Sequence, residues 1–186
     1  MEILKLTTKR LNIRHLELKD LSDFYVYRSN PEVAKYQGFD IMTKEQAEDF
    51  IKYNAMRTFG KAGEWVQYGI ENVETQKLIG DCAIKFDQND TRIAEIGITI
   101  SHLEQQKGYA KEVMGGILIF LFEIKEIHRV AETVDAENIA SINLLRSMGF
   151  RQEGHFIENI FFKGKWGSEY QYAMLKREWD ERTTNR

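Results

Sequence analysis

The sequence predicts a mixed α/β (α+β) domain, a largely antiparallel sheet with one central strand–helix–strand crossover. Three observations predict it. Strand-like segments fill residues 65–100, and the hydrophobic period then lengthens to that of a helix over residues 110–124. A second, shorter helical segment divides the strands that follow. The order along the chain is strand, two helices, three strands, helix, strand, helix, two strands, which makes about seven strands and about four helices.

Each element has a local reason. In Ser29-Asn30-Pro31-Glu32, Asn30 is a helix cap and Pro31, the only proline, stands at the first helical position, where its missing N–H costs nothing. Two early helices are expected, about 19–30 and about 43–59, with a break near Gln37-Gly38-Phe39. Trp65 to Glu71 and Leu78 to Phe86 are rich in strand formers and flank a polar turn at Asn72 to Lys77. Arg92 to Ile100 alternates, with Ile96, Ile98 and Ile100 on one face and Glu95, Gly97 and Thr99 on the other. Ala110, Val113, Met114, Ile117, Leu118, Leu121 and Ile124 recur at helical spacing. Gly115 and Gly116 weaken that helix by roughly 1 kcal/mol each, and closer approach to the sheet is the expected return. Arg129 to Val134 reads as a strand and Ile139 to Met148 as a short helix stopped by Gly149. Two aromatic-rich strands, about 150–162 and about 168–176, close the chain around Lys163-Gly164-Lys165-Trp166-Gly167.

Composition bounds the function. A chain of 186 residues suits one domain, here 1–181, followed by a polar tail at 182–186 that is expected to fray. Twenty-six basic and 29 acidic residues give a net charge of −3 without a long basic block, so neither nucleic acid nor an anionic membrane is an expected partner. The start Met1-Glu2-Ile3-Leu4-Lys5 lacks the apolar core of a signal peptide, and the longest apolar run, Ile117 to Phe122, is too short to span a bilayer. With Cys82 the only cysteine no internal disulfide can form, and a cytoplasmic protein is expected. His15, His102, His128 and His155 lack metal-ligand spacing, so no metal is assigned. Cys82, in an apolar strand with no activating neighbour, reads as core rather than nucleophile.

The informative feature is the turn Gln105-Gln106-Lys107-Gly108-Tyr109-Ala110, which follows a strand and opens an amphipathic helix. A helix N-terminus offers unpaired N–H groups and partial positive charge, and a diphosphate placed there meets backbone donors. Gly108 leaves room for close approach, Ala110 is small, and Lys107 is either an added charge or a solvated side chain. The turn is neither Gly-x-Gly-x-x-Gly nor Gly-x-x-x-x-Gly-Lys-Ser/Thr, which counts against dinucleotide-fold and P-loop readings.

Gln105-x-x-Gly108-x-Ala110 resembles the Gln/Arg-x-x-Gly-x-Gly/Ala signature of the GNAT superfamily. Glu95-Ile96-Gly97-Ile98 precedes it, as on the family's fourth strand. Asn138-Ile139-Ala140-Ser141 and Met148-Gly149-Phe150 follow, and the opening Thr8 to Arg14 and closing Tyr172 to Leu175 also look similar. The nearest branch resembles the ribosomal-protein N-terminal (alanine/serine) acetyltransferases. The resemblance implies the GNAT fold, with the fourth and fifth strands, here about 93–100 and 129–134, splayed around the pantetheine arm of acetyl-CoA. Backbone groups of Ile98, Thr99 and Ile100 would meet the pantetheine, as would Asn138. The N–H groups of Gln105, Gln106, Lys107, Gly108, Tyr109 and Ala110 would meet the pyrophosphate.

The implied reaction is direct attack of an amine on the thioester, which needs a proton acceptor, an oxyanion donor and a proton for the leaving thiolate. Ser141 matches the serine acid of related enzymes, or is a helix N-terminal hydroxyl bonding its own backbone. The tyrosine acid of other members is replaced by Leu145. The related glutamate base falls on Ile160; Glu158, two residues earlier and on the same face if no bulge intervenes, and Glu95, on the fourth strand, are the candidates. Either glutamate, taken alone, reads as a solvated or salt-bridged strand residue, and a water-mediated path with no dedicated base stays open. Tyr36, Phe39 and Trp166 are placed in loops beside the acceptor groove or are packing residues. The leading function is acetyl-CoA-dependent transfer to a primary amine, a protein N-terminus or a small molecule, with a homodimer left open. The alternatives are a non-catalytic acyl-CoA sensor or partner-binding module on the same fold and, more remotely, a nucleotide-binding α/β protein.

Overall fold

The computed structural model describes residues 4–184. Eight strands form one sheet in the order β1-β2-β3-β4-β5-β6-β8-β7. They are β1 (Leu6–Thr7), β2 (Leu11–Arg14), β3 (Val66–Asn72), β4 (Leu78–Phe86), β5 (Ile93–Ile100), β6 (Arg129–Asp135), β7 (Arg151–Phe162) and β8 (Lys165–Leu175). Every neighbouring pair is antiparallel except β5 and β6, which the crossover helix makes parallel. The expected opening strand is split in two, closed by a Thr8 N–H to Leu11 carbonyl bond. The final hairpin turns on Lys163 and Gly164 alone, both at positive φ, so Lys165, Trp166 and Gly167 belong to β8 rather than to a loop.

Six α-helices flank the sheet: α1 (Leu21–Arg28), α2 (Pro31–Ala34), α3 (Lys44–Ala55), α4 (Tyr109–Ile119), α5 (Ile139–Met148) and α6 (Lys176–Thr184). The two additions to the expected four are the single turn α2, capped by Asn30 as expected, and α6. Arg182 to Thr184 are therefore the last turn of a helix, not a frayed tail, and Arg182 packs against Gly149 at the end of α5. Trp179 anchors α6, buried with its indole N–H donating to Glu123 at 2.9 Å. Among the described residues no helix is long and apolar enough to cross a membrane.

Strand alternation sorts the two faces. Cys82, Ile84, Ala94 and Ile96 pack with Val113, Ile117, Ile142 and Leu145 of α4 and α5. A register shift between Ile70 and Glu71 lets Leu78 join the other cluster, with Phe24, Tyr27 and Ile51 of α1 and α3. On that second face Asp81 is fully buried and accepts from Tyr27 Oη at 2.6 Å, Arg28 Nη2 at 2.6 Å and Gln67. Removing one partner of such a buried pair costs about 3–5 kcal/mol.

Three contacts position the site. Gly116 brings α4 against β1: a Cβ there would lie 2.9 Å from Leu6 Cδ2. Glu112 of α4 accepts from Thr8 Oγ1 at 2.6 Å and from Arg10 N and Nε at 2.8 and 2.6 Å, which fixes the start of α4 on the β1–β2 turn. At the other end Lys163 Nζ donates to the Ala34 and Phe39 carbonyls, tying the β7–β8 hairpin to the loop after α2.

Candidate active site

The site begins where two strands part. Pairing of β5 with β6 ends at Glu95 and Ala131. On the β4 side, Ser101 N–H bonds Ile79 O and Asp87 N–H bonds Ile93 O, so the odd-numbered residues of β5 turn their in-plane groups to β4. The even-numbered residues face β6, and past the parting Ile98 presents its N–H and C=O to the gap. Ile100 does so only in part, because Gln105 Nε2 donates to its carbonyl at 3.1 Å. Thr99 departs from expectation: its main chain is paired with Asp81 on β4, so it is not available to a ligand in the gap.

Beyond β5 the chain turns into α4. Gln106 (φ 61°) and Gly108 (φ 81°) take left-handed conformations, and Gly108 is the N-cap, with no side chain to satisfy the first helical N–H groups. These donors, with the helix dipole behind them, form a cradle suited to an anion. Lys107 pairs with Glu104 at 2.9 Å, and its carbonyl accepts from Arg10 Nη1 at 3.1 Å. Arg10, which also stacks at 4.4 Å over the Tyr109 ring, is the charge beside this turn that the sequence did not single out. Ala110 packs partly against the core.

A cavity of about 310 Å³ occupies the parting. Ile96, Ile98, Glu95 and Glu132 line its strand walls, Asn138 and Ser141 its α5 wall, and Tyr36, Ile160, Phe162 and Glu169 its outer rim. Asn138 caps α5: its Oδ1 accepts the Ser141 N–H at 3.2 Å. Among the described residues the Ser141 hydroxyl has no hydrogen bond, so the self-bonding role considered for it is not taken up. Glu95, on the α1–α3 face, pairs with Lys85 at 2.8 Å, and that lysine lies 4.9 Å over the Trp65 ring.

Glu158 is placed differently from expectation. Phe156 faces Glu169 and Ile160 faces Gly167, so a four-residue step on β7 meets a two-residue step on β8. Glu158 sits in the resulting bulge at φ 46°, exposed, with its N–H held by Ser168 Oγ at 2.9 Å. It does not line the cavity, whereas Ile160 does. Trp166 likewise packs on Phe161 outside the cavity, and Phe39 lies 3.9 Å over the Arg28 guanidinium. Cys82 is fully buried and its thiol pKa is pushed up by desolvation, which leaves it unreactive.

The residue that sequence reasoning missed is Glu132. Desolvation, and after it the charge of Glu95, raise its pKa well above the ordinary carboxylate range, against an opposing pull from the Ile96 N–H. The signal was there: Val130, Glu132 and Val134 share one strand face, and both valines are core. A charge in phase with buried valines is costly unless it is paired or carries its proton.

A family model for the acetyltransferase (GNAT) domain matches residues 10–151. The chain belongs to the GNAT acetyltransferases. It is an acyltransferase, similar to the uncharacterized N-acetyltransferase YnaD of Bacillus subtilis, with 33% identity over 175 residues, covering 94% of this chain and 99% of that one. Among solved structures, a GNAT-family acetyltransferase from Bacillus anthracis superposes with a TM-score of 0.84 at 27% identity, covering 94% of this chain and all of that one. A spermidine N-acetyltransferase from Vibrio cholerae, solved with CoA and spermine, has the same fold at a TM-score of 0.75 and 22% identity, covering 92% and 99% of the two chains.

Proposed function

We propose that this GNAT acetyltransferase moves the acetyl group of acetyl-CoA to a primary amine by direct attack. The observation that carries the reading is the cavity walled by carboxylates where β5 and β6 part, with the free main-chain groups of Ile98 on its strand wall. The uncapped N–H groups of α4 follow on the same strand–turn–helix segment. In this reading the N–H groups of Gln106 to Ala110 bind the diphosphate, and Ile98 and the Asn138 amide pair with the pantetheine. Glu95, on the open α1–α3 face, takes the proton of the incoming ammonium. Ser141, on the opposite wall, donates a hydrogen bond to the departing sulfur.

Glu95, Glu132, Asp135 and Glu169 all line the cavity, and no Lys or Arg does. That charge supports an acceptor that arrives as a cation, a small amine or a protein N-terminus alike. The test is turnover of acetyl-CoA against a panel of polyamines, amino acids, aminoglycosides and peptides with free N-termini. Stoichiometric release of CoA with formation of the N-acetyl product supports the proposal. Tight acetyl-CoA binding without transfer to any amine would make the chain a binding module. Ser141→Ala should lower kcat about tenfold while leaving the acetyl-CoA Kd within a factor of two.

A further inference from the structure

We propose that Glu132 is the general acid of the transfer, the carboxyl that protonates the CoA thiolate as it leaves. This rests on the acetyltransferase reading above and adds a residue to it.

Position comes first. Glu132 projects from the α4–α5 face of β6, between Val130 and Val134, into the cavity wall it shares with Ser141 and Asn138. If the pantetheine pairs with Ile98 and Asn138, this wall lies beside it. Glu95 projects from the opposite face of β5, where it meets Lys85. The parting thus holds one carboxylate from each face of the sheet.

The surroundings separate the two in role. Glu95 has a cation, Lys85. Glu132 has no ion pair among the described residues. The ionisable groups around it are Glu95 on β5, Asp135 on its own strand, and Glu169 and the opposed Tyr172 on β8. Arg146, the cation of α5, is exposed and directed at Gln152, and Tyr172 Oη also donates to Gln152. Desolvation and the nearby negative charge both favour the protonated form of Glu132. One carboxyl buried without a cation and one held by a lysine differ in surroundings in the way that separates an acid from a base. A serine hydroxyl is by itself a far weaker acid than a thiol, so Ser141 can orient the sulfur but needs a proton source behind it.

The step balances. The ammonium gives one proton to Glu95, the amine attacks, and the C–N bond forms. As the tetrahedral intermediate collapses the C–S bond breaks, its electron pair goes to sulfur, and the Glu132 O–H proton follows. Glu95 passes the first proton to solvent and then relays the nitrogen's second proton the same way, solvent returns one to Glu132, and one proton is released per turnover.

The experiment is single-turnover acetyl transfer by the full chain, as a function of pH, for the parent, Glu132→Gln and Glu132→Asp. An acid must carry its proton, so the parent rate falls as pH rises through the Glu132 pKa. Glu132→Gln should lose about 100-fold in rate and lose that alkaline limb, with the acetyl-CoA Kd by calorimetry within threefold of the parent. Glu132→Asp should keep the limb at a reduced plateau. A raised carboxyl pKa makes a stability contribution that is present at acid pH and lost as pH rises through the folded value. Glu132→Gln should therefore melt no lower than the parent at neutral pH. Difference infrared spectra of parent minus Glu132→Gln should show a protonated carboxyl band at neutral pH. An active parent whose Glu132→Gln variant transfers within threefold at every pH overturns the assignment alone, as does absence of the band. A parent that transfers to no amine overturns the acetyltransferase reading, and this proposal with it.

Discussion

The two ends of the proposed site are built from different parts of the chain. At the start of α4 the groups on offer are main chain: N–H groups left unpaired by helix geometry, with Gly108 at positive φ. Where β5 and β6 part, it is side chain: Glu95, Glu132, Ser141 and Asn138, brought together from three elements. A main-chain site tolerates few residue types at a few adjacent positions, so it leaves a compact trace in sequence. A side-chain site depends on strand phase and register, and it tolerates a different set of groups for each acceptor.

The comparison breaks most readily at Glu95. If chemistry resides in the side-chain end alone, Glu95→Gln should reduce kcat about 100-fold at neutral pH while leaving the acetyl-CoA Kd unchanged. Steady-state kinetics with calorimetry reads both. A comparable loss of cofactor affinity would mean that the two ends are not separable.

Gly108→Val tests the other end in the opposite sense. A β-branched residue at φ 81° is strained, and its side chain would crowd the anion cradle and approach Arg10. Acetyl-CoA binding should weaken at least tenfold, about 1.4 kcal/mol, in a variant that remains folded by circular dichroism. Unchanged affinity would remove the turn from the binding site.

Sequence reasoning succeeded where local chemistry dictates structure. The end of α5 was readable because Gly149, at φ 93°, stops it. The crossover was readable because the period changes across the 105–110 turn. By contrast, α6 was missed because its stretch Lys176–Thr184 buries only Trp179 and so carries no apolar period. Thr99 was misassigned because which way a strand residue turns its N–H depends on the partner register, which is a long-range property. Glu132 was overlooked for a related reason: as one charge in a short strand, it acquires meaning only when Val130 and Val134 are seen to be core.

The smallest expected effect is at Glu158, and it sharpens the comparison by showing how a side-chain site is misread. The family resemblance put a carboxylate at Ile160, and an unbroken strand would put Glu158 on the same face. Ile160 does line the cavity, and Glu158 does not. The bulge between Phe156 and Ile160 absorbs the intervening residues and turns Glu158 out at φ 46°. What anchors Glu158 is its main-chain N–H, held by Ser168, and that bond does not depend on the carboxylate. Glu158→Gln should therefore leave kcat, KM for the acceptor and the pH profile within twofold of the parent. A tenfold or larger loss of kcat, with the acetyl-CoA Kd unchanged, would mean that the hairpin closes over the acceptor and carries Glu158 inward. The base would then have to be sought on β7 rather than β5.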